Sequence, residues 1–144
     1  MPESQSWLLW ALLSAVFAAA TAILAKIGLE GIDSDYATLV RTTVILVVLA
    51  AFVYATGKWR DPASLPYRSL LFLTLSGLAT GASWVCYFRA LKLGEAYRVA
   101  PIDKLSVVLV AIFAMVFLGE RPALKDWAGI ACVGVGVLLL GLKR

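Results

Sequence analysis

Five apolar stretches, each close to the length needed to cross a lipid bilayer, leave this chain almost nothing from which to build a water-soluble core. Ser4 to Ala25 runs 22 residues without a charge, and Ser69 to Phe88 runs 20. A hydrocarbon layer of about 30 Å takes about 20 helical residues, and inside it only a helix or a closed barrel satisfies its own backbone. The first run opens with Trp7 and Trp10 and closes at Lys26, an aromatic belt at one interface and a cation at the other. Tyr36–Thr56 carries only Arg41, and the glycine, cations and prolines of GKWRDPASLP mark its exit and a loop. Val99–Leu118 has Pro101 in its first turn and carries Asp103 and Lys104. Trp127–Leu142, only 16 residues, is short unless Ala123 and Leu124 or a locally thinned bilayer help. The expected fold is an all-α integral membrane protein of five transmembrane helices, at about 5–26, 36–56, 69–91, 99–118 and 125–142.

Those spans with their flanks occupy nearly all 144 residues, so residues 4–143 read as a single membrane domain with no soluble catalytic module. The chain is 62% hydrophobic and 15% charged, against roughly 45–50% and 25% in soluble domains. With no histidine, imidazole metal sites and Ser/His or Cys/His nucleophile pairs are excluded, and no metal, cofactor or catalytic residue is expected. Cys86 and Cys132 stand apart within apolar runs, as small hydrophobes do. The net charge of +4 comes from cations scattered at segment ends, which suits interfacial anchoring rather than nucleic acid. The opening MPESQSW has no basic residue, so the first segment reads as retained rather than as a cleaved signal.

An odd number of spans puts the termini on opposite sides. The N-terminal side, A, then holds Lys58, Arg60, Arg68, Arg121 and Lys125, whereas side B holds Lys26, Arg41, Arg89, Lys92, Arg98, Lys143 and Arg144. So even a distribution sets orientation weakly. It is consistent with insertion both ways and an antiparallel dimer, and equally with loop ends displaced from those assumed.

Lipid gives helices no hydrophobic reason to associate, so small residues that permit close backbone approach carry the packing. Gly77 and Gly81 form a GxxxG, Ala128, Cys132 and Gly136 repeat at four-residue spacing, and Ser14, Ala18 and Ala22 make a further stripe. These faces serve a tight bundle within the chain or a seam with a second one.

Arg41, Asp103 and Lys104 lie roughly 6–8 Å inside their helix starts at 1.5 Å per residue, both helices entering from side B. Charges in a span are costly and face protein or water. One reading makes Asp103 with Arg41 and Lys104 a titratable or ion-paired gate whose surplus positive charge attracts an anionic or carboxylate-bearing solute. The other gives Asp103 a helix-dipole role and lets the cations snorkel. Trp84, Tyr87 and Phe88 fall within one turn near the same mouth, as part of a solute cleft or of an interfacial belt.

The stretch Gly81–Leu140 combines ALKLGEA, a VAPIDKLS segment, FLGE before a short turn, and a W-x-G opening a glycine-containing last helix. Together these motifs resemble the C-terminal portion of an EamA domain of the drug/metabolite transporter superfamily. AILAKIGLEGIDSDYATLVRT is similar to that domain's opening, so the resemblance covers nearly the whole chain. Typical members carry two such domains in inverted repeat with the solute path between them; this chain resembles the single-domain subset. The resemblance implies a secondary transporter of a small metabolite or drug-like solute in a membrane of bacterial inner (plasma) membrane type. It also implies an antiparallel homodimer, or pairing with a second small membrane subunit, cycling by alternating access. A non-transporting subunit that stabilises or regulates a partner membrane protein is the competing expectation. The matched Pro101, Ser106, Gly119 and Glu120 read as structural, with the proline opening the fourth helix and Gly-Glu closing it.

Overall fold

The computed structural model describes residues 3–142; Lys143 and Arg144, two of the cations assigned to side B, lie outside the described residues. Six α-helices follow one another: α1 (Glu3–Gly28), α2 (Ser34–Ala55), α3 (Tyr67–Leu93), α4 (Ala96–Asp103), α5 (Ser106–Phe113) and α6 (Leu124–Gly141). A short 3₁₀ turn, Pro62–Ser64, precedes α3, and a π-helical segment, Ala114–Leu118, continues α5. Among the described residues there is no strand. Five segments among the described residues are long and apolar enough to cross a membrane: Trp7–Gly28, Ser34–Ala55, Tyr67–Leu93, Ala96–Leu118 and Leu124–Gly141.

Local sequence explains where the helices start and stop. Asp33 caps α2, its carboxylate accepting the backbone N–H groups of Asp35 (2.9 Å) and Tyr36 (3.1 Å), two of the donors a helix start leaves orphaned. α2 closes at Gly57, whose φ of +65° is left-handed. There the Lys58 N–H reaches the Val53 carbonyl and the Gly57 N–H that of Tyr54, a Schellman closure. Hydroxyls within the spans are hidden from lipid by bonding one turn back. Thr38 donates to the Ser34 carbonyl (2.8 Å), Thr42 to Thr38 (2.7 Å) and Thr74 to Leu70 (2.8 Å).

The fourth span is not one helix. It begins at Ala96, three residues before the expected Val99, and Pro101 sits inside α4 rather than opening it. Without an N–H the proline leaves the Tyr97 carbonyl without its usual donor, and the chain then tightens. Lys104 bonds back to Pro101, Leu105 to Ile102, Val107 to Lys104 and Val108 to Leu105, each at three-residue spacing. Beyond α5 the winding loosens into the π-segment, which Gly119 ends in a left-handed conformation (φ +69°). The Glu120 N–H returns to the Ala114 carbonyl (3.2 Å).

The chain divides into two compact units, one of Leu24–Leu93 and one of the residues up to Ile23 with those from Gly94 onward. In the first, α2 packs on α3, and the buried residues gather at the end of α3: Leu91 is fully buried, and Phe88 and Leu29 nearly so. In the second, α4 and α5 pack on α6. Gly134 is the close-approach point, since a Cβ there would lie 3.4 Å from Val108 Cγ2. The inward face of α6 runs through Trp127, Ile130, Gly134 and Val137, whereas Ala128, Cys132 and Gly136 lie exposed. Gly77 and Gly81 are also exposed, and a Cβ on either would meet nothing within 4 Å. Large apolar side chains such as Phe17, Val47, Leu73, Phe117 and Leu139 stand exposed along the spans, a surface suited to lipid or to another membrane chain.

Candidate functional site

The end of the Leu24–Leu93 unit where α2 begins and α3 ends is tied by three cations. Arg89 grips Asp35 with two parallel bonds, Nε to Oδ1 at 2.9 Å and Nη2 to Oδ2 at 2.5 Å, the bidentate arrangement for which a guanidinium is shaped. Lys26, near the end of α1, donates to the Leu91 carbonyl at 2.6 Å, and Lys92 donates to the carbonyl of Ile32 in the α1–α2 turn. Lysines at the last carbonyls of a helix also answer its negative end. The sequence had placed Lys26 and Arg89 at this mouth without their partners. It also placed Asp103 inside a span; because α2 starts at Ser34 and α6 at Leu124, Asp35 and Asp126 lie within spans as well.

Nearly two turns deeper than Asp35 lies Arg41, the eighth residue of α2 and about 10 Å along it. Its guanidinium rests on the ring of Trp84, 4.3 Å from the centroid, and lies 5.4 Å from that of Phe88. Tyr87 meets Phe88 edge-on, with centroids 6.3 Å apart. The aromatics expected to line a cleft or form a belt thus include the seat of the cation. Cation–π contact holds the charge but leaves hydrogen bonds unmade, and Arg41 Nη1 is a buried donor with no acceptor among the described residues. Asp35 is engaged by Arg89, and Arg41 forms no ion pair among the described residues. The site presents a fixed positive group with spare donor capacity among aromatic faces, suited to an oxyanion.

Asp103 and Lys104 belong to the other unit. Asp103 ends α4 as its eighth residue, so it stands in a last turn rather than the expected first one. Its ionic partner is the adjacent Lys104, at 3.4 Å, with both side chains partly exposed. Both residues sit at the three-residue-spaced turn between α4 and α5. No group of three or more metal-ligating side chains occurs among the described residues.

Five lipid-length apolar segments, one with a cation inside it and another broken in its winding, define a polytopic membrane protein of transporter type. The chain belongs to the EamA-like transporter family, which matches residues 5–142. It is 63% identical over 139 residues to an uncharacterised transporter encoded in the cobO 3′ region of a Sinorhizobium species, covering 96% of this chain and 99% of that one. The uncharacterised transporter YxxF of Bacillus subtilis (strain 168) is 26% identical over 140 residues, 96% of this chain but only 43% of its own length. A probable 4-amino-4-deoxy-L-arabinose-phosphoundecaprenol flippase subunit, ArnE, of Yersinia pestis (strain Pestoides F) is 29% identical over 90 residues, 60% of this chain and 76% of that one. No solved structure matches the chain.

Proposed function

We propose that this chain is one half of a secondary transporter for a small anionic metabolite. It becomes complete on antiparallel pairing with a second copy or a second small membrane subunit, and works by alternating access. The observation that carries the reading is Arg41: a cation seated on Trp84 inside a span, with one buried donor unpaired, in a family of transporters. An incoming carboxylate or phosphate supplies the missing acceptor, and leaves when the surrounding aromatic faces part. Asp103 and Lys104, at the break in the fourth span, are the gating pair in this reading. Pairing is supported by YxxF, whose matched region is less than half its length, and by the exposed Gly77, Gly81, Ala128, Cys132 and Gly136, small residues fit for a seam with another chain.

A second reading, in which the chain stabilises a partner and carries no solute, is favoured by one observation: ArnE bears the name of a subunit. Two measurements separate them. Cytoplasm-only and exterior-only reporters fused after the last residue both give signal if the chain inserts both ways; signal from one alone removes the homodimer and directs the search to an oppositely oriented partner. The purified protein is then screened by thermal shift against carboxylates and sugar phosphates. A class of anion that stabilises the native chain and not Arg41→Gln supports the transporter; no anion response, or an equal one in the variant, supports the accessory subunit.

A further inference from the structure

At the far end of the fourth span lies a cavity that the Arg41 site does not involve. It has a volume of about 420 Å³, within the range of small-ligand sites, and opens beside the loop joining the π-segment to α6. One wall is apolar, made of Val107, Val110, Ala111 and Ala114, with Ile130 opposite. The small Ala111 and Ala114 leave the space, and the π-segment that starts at Ala114 widens the turn above it. The rim is charged: Glu120, Arg121 and Asp126 line the opening. Asp126 is fixed in place, its Oδ2 accepting the Ala123 N–H at 2.8 Å.

An apolar wall running from Val107 to Ala114, about 10 Å of helix, beneath a rim of two carboxylates and one guanidinium describes an amphiphile site at a membrane boundary. The charges select the headgroup. A zwitterion can place its phosphate on Arg121 and its cation between Glu120 and Asp126, whereas a purely anionic headgroup meets a rim with one net negative charge. A primary ammonium can donate three hydrogen bonds to carboxylates, and a quaternary ammonium none. We infer that this groove binds phosphatidylethanolamine, with the ammonium on the Glu120 and Asp126 carboxylates, the phosphate on Arg121 and the start of one acyl chain along α5.

The test is native mass spectrometry of the full chain released from mixed micelles holding equal amounts of phosphatidylethanolamine, phosphatidylcholine and phosphatidylglycerol. Phosphatidylethanolamine is expected to stay bound in preference to the other two. Glu120→Gln should lower that preference by about tenfold, the worth of one charge-assisted hydrogen bond. Arg121→Gln should weaken retention of all three lipids alike, because all carry a phosphate. Ala111→Phe, which fills the groove, should abolish retention with helical circular dichroism unchanged; Glu120→Gln, at an exposed rim, serves if that variant fails to fold. Equal retention of the three lipids overturns the inference, as does a phosphatidylethanolamine preference untouched by Glu120→Gln. A second polypeptide chain found covering Glu120 in cross-linking would equally overturn it.

Discussion

Arg41→Met separates a cation kept for a ligand from a cation kept for the fold. Methionine preserves an unbranched stem against Trp84 and removes the charge. The loss is the cation–π contact at 4.3 Å, about 0.5–2 kcal/mol depending on how far the site is desolvated. The gain is relief of the buried Nη1 donor, which costs about 1–3 kcal/mol while it has no acceptor. The sum runs from about 1 kcal/mol less stable to about 2.5 kcal/mol more stable, so the variant should fold at least nearly as well as the native chain. Had Arg41 been one half of a buried ion pair, removing it would strand the other half, at about 3–5 kcal/mol. The assay is a reversible unfolding titration in mixed detergent micelles followed by far-UV circular dichroism, which does not depend on the Trp84 signal. A loss greater than about 3 kcal/mol would refute the reasoning and make Arg41 a structural residue.

At Gly134, alanine should be tolerated, since its Cβ would only touch Val108 at 3.4 Å, whereas leucine should force α5 from α6 and cost about 1–3 kcal/mol in the same titration. Asp35→Asn and Arg89→Gln should each speed hydrogen–deuterium exchange in the α1–α2 turn. The exchanged pair, Asp35→Arg with Arg89→Asp, should restore protection only in part, because each charge then faces the wrong end of its helix; exchange as fast as in the single variants would show that the pair does not hold the turn. Asp103→Asn should leave yield and melting midpoint unchanged, since its ion pair among the described residues is with a partly exposed neighbour, and a collapse of expression would assign it to the fold instead.

What could be read from the sequence was whatever depends on composition along one helix. The five spans were legible because charge-free runs in lipid admit no other backbone solution, and Arg41 was legible because it interrupts one. Partnerships across helices were not. Arg89 and Asp35 lie 54 residues apart, and nothing in either neighbourhood fixes the register that brings them together. The seat of Arg41 was half legible: Trp84 and Tyr87 were candidates by proximity to the mouth, but the stacking of the guanidinium on Trp84 depends on how α2 and α3 face each other. Arg98, a cation directly before an apolar run, puts the start of the fourth span near Val99 and Pro101 and Asp103 in its first turn, whereas they stand near the end of α4. Pro101 signals the tightened turn after α4, but the π-segment Ala114–Leu118 has no signature in residue type. The rim of Glu120, Arg121 and Asp126 was not legible, because Gly119 and Glu120 in the sequence mark only the end of a helix and the groove exists only where α6 packs beside α5.

The fourth span contains two winding errors of opposite sense. The three-residue-spaced turn after Pro101 advances the chain too far round the axis for each residue, and the π-segment advances it too little. The eight residues of Ser106–Phe113 are therefore turned relative to a uniform helix, and the residues after Leu118 are turned back towards it. Any wheel drawn with one period across the whole span assigns the wrong outward face to its middle third alone. The two defects are thus phase-coupled: deleting one residue from the π-segment would leave the earlier overwinding uncorrected and rotate the Glu120–Asp126 rim about the axis of the span. The same deletion made outside both defects would displace every following side chain with nothing to offset it.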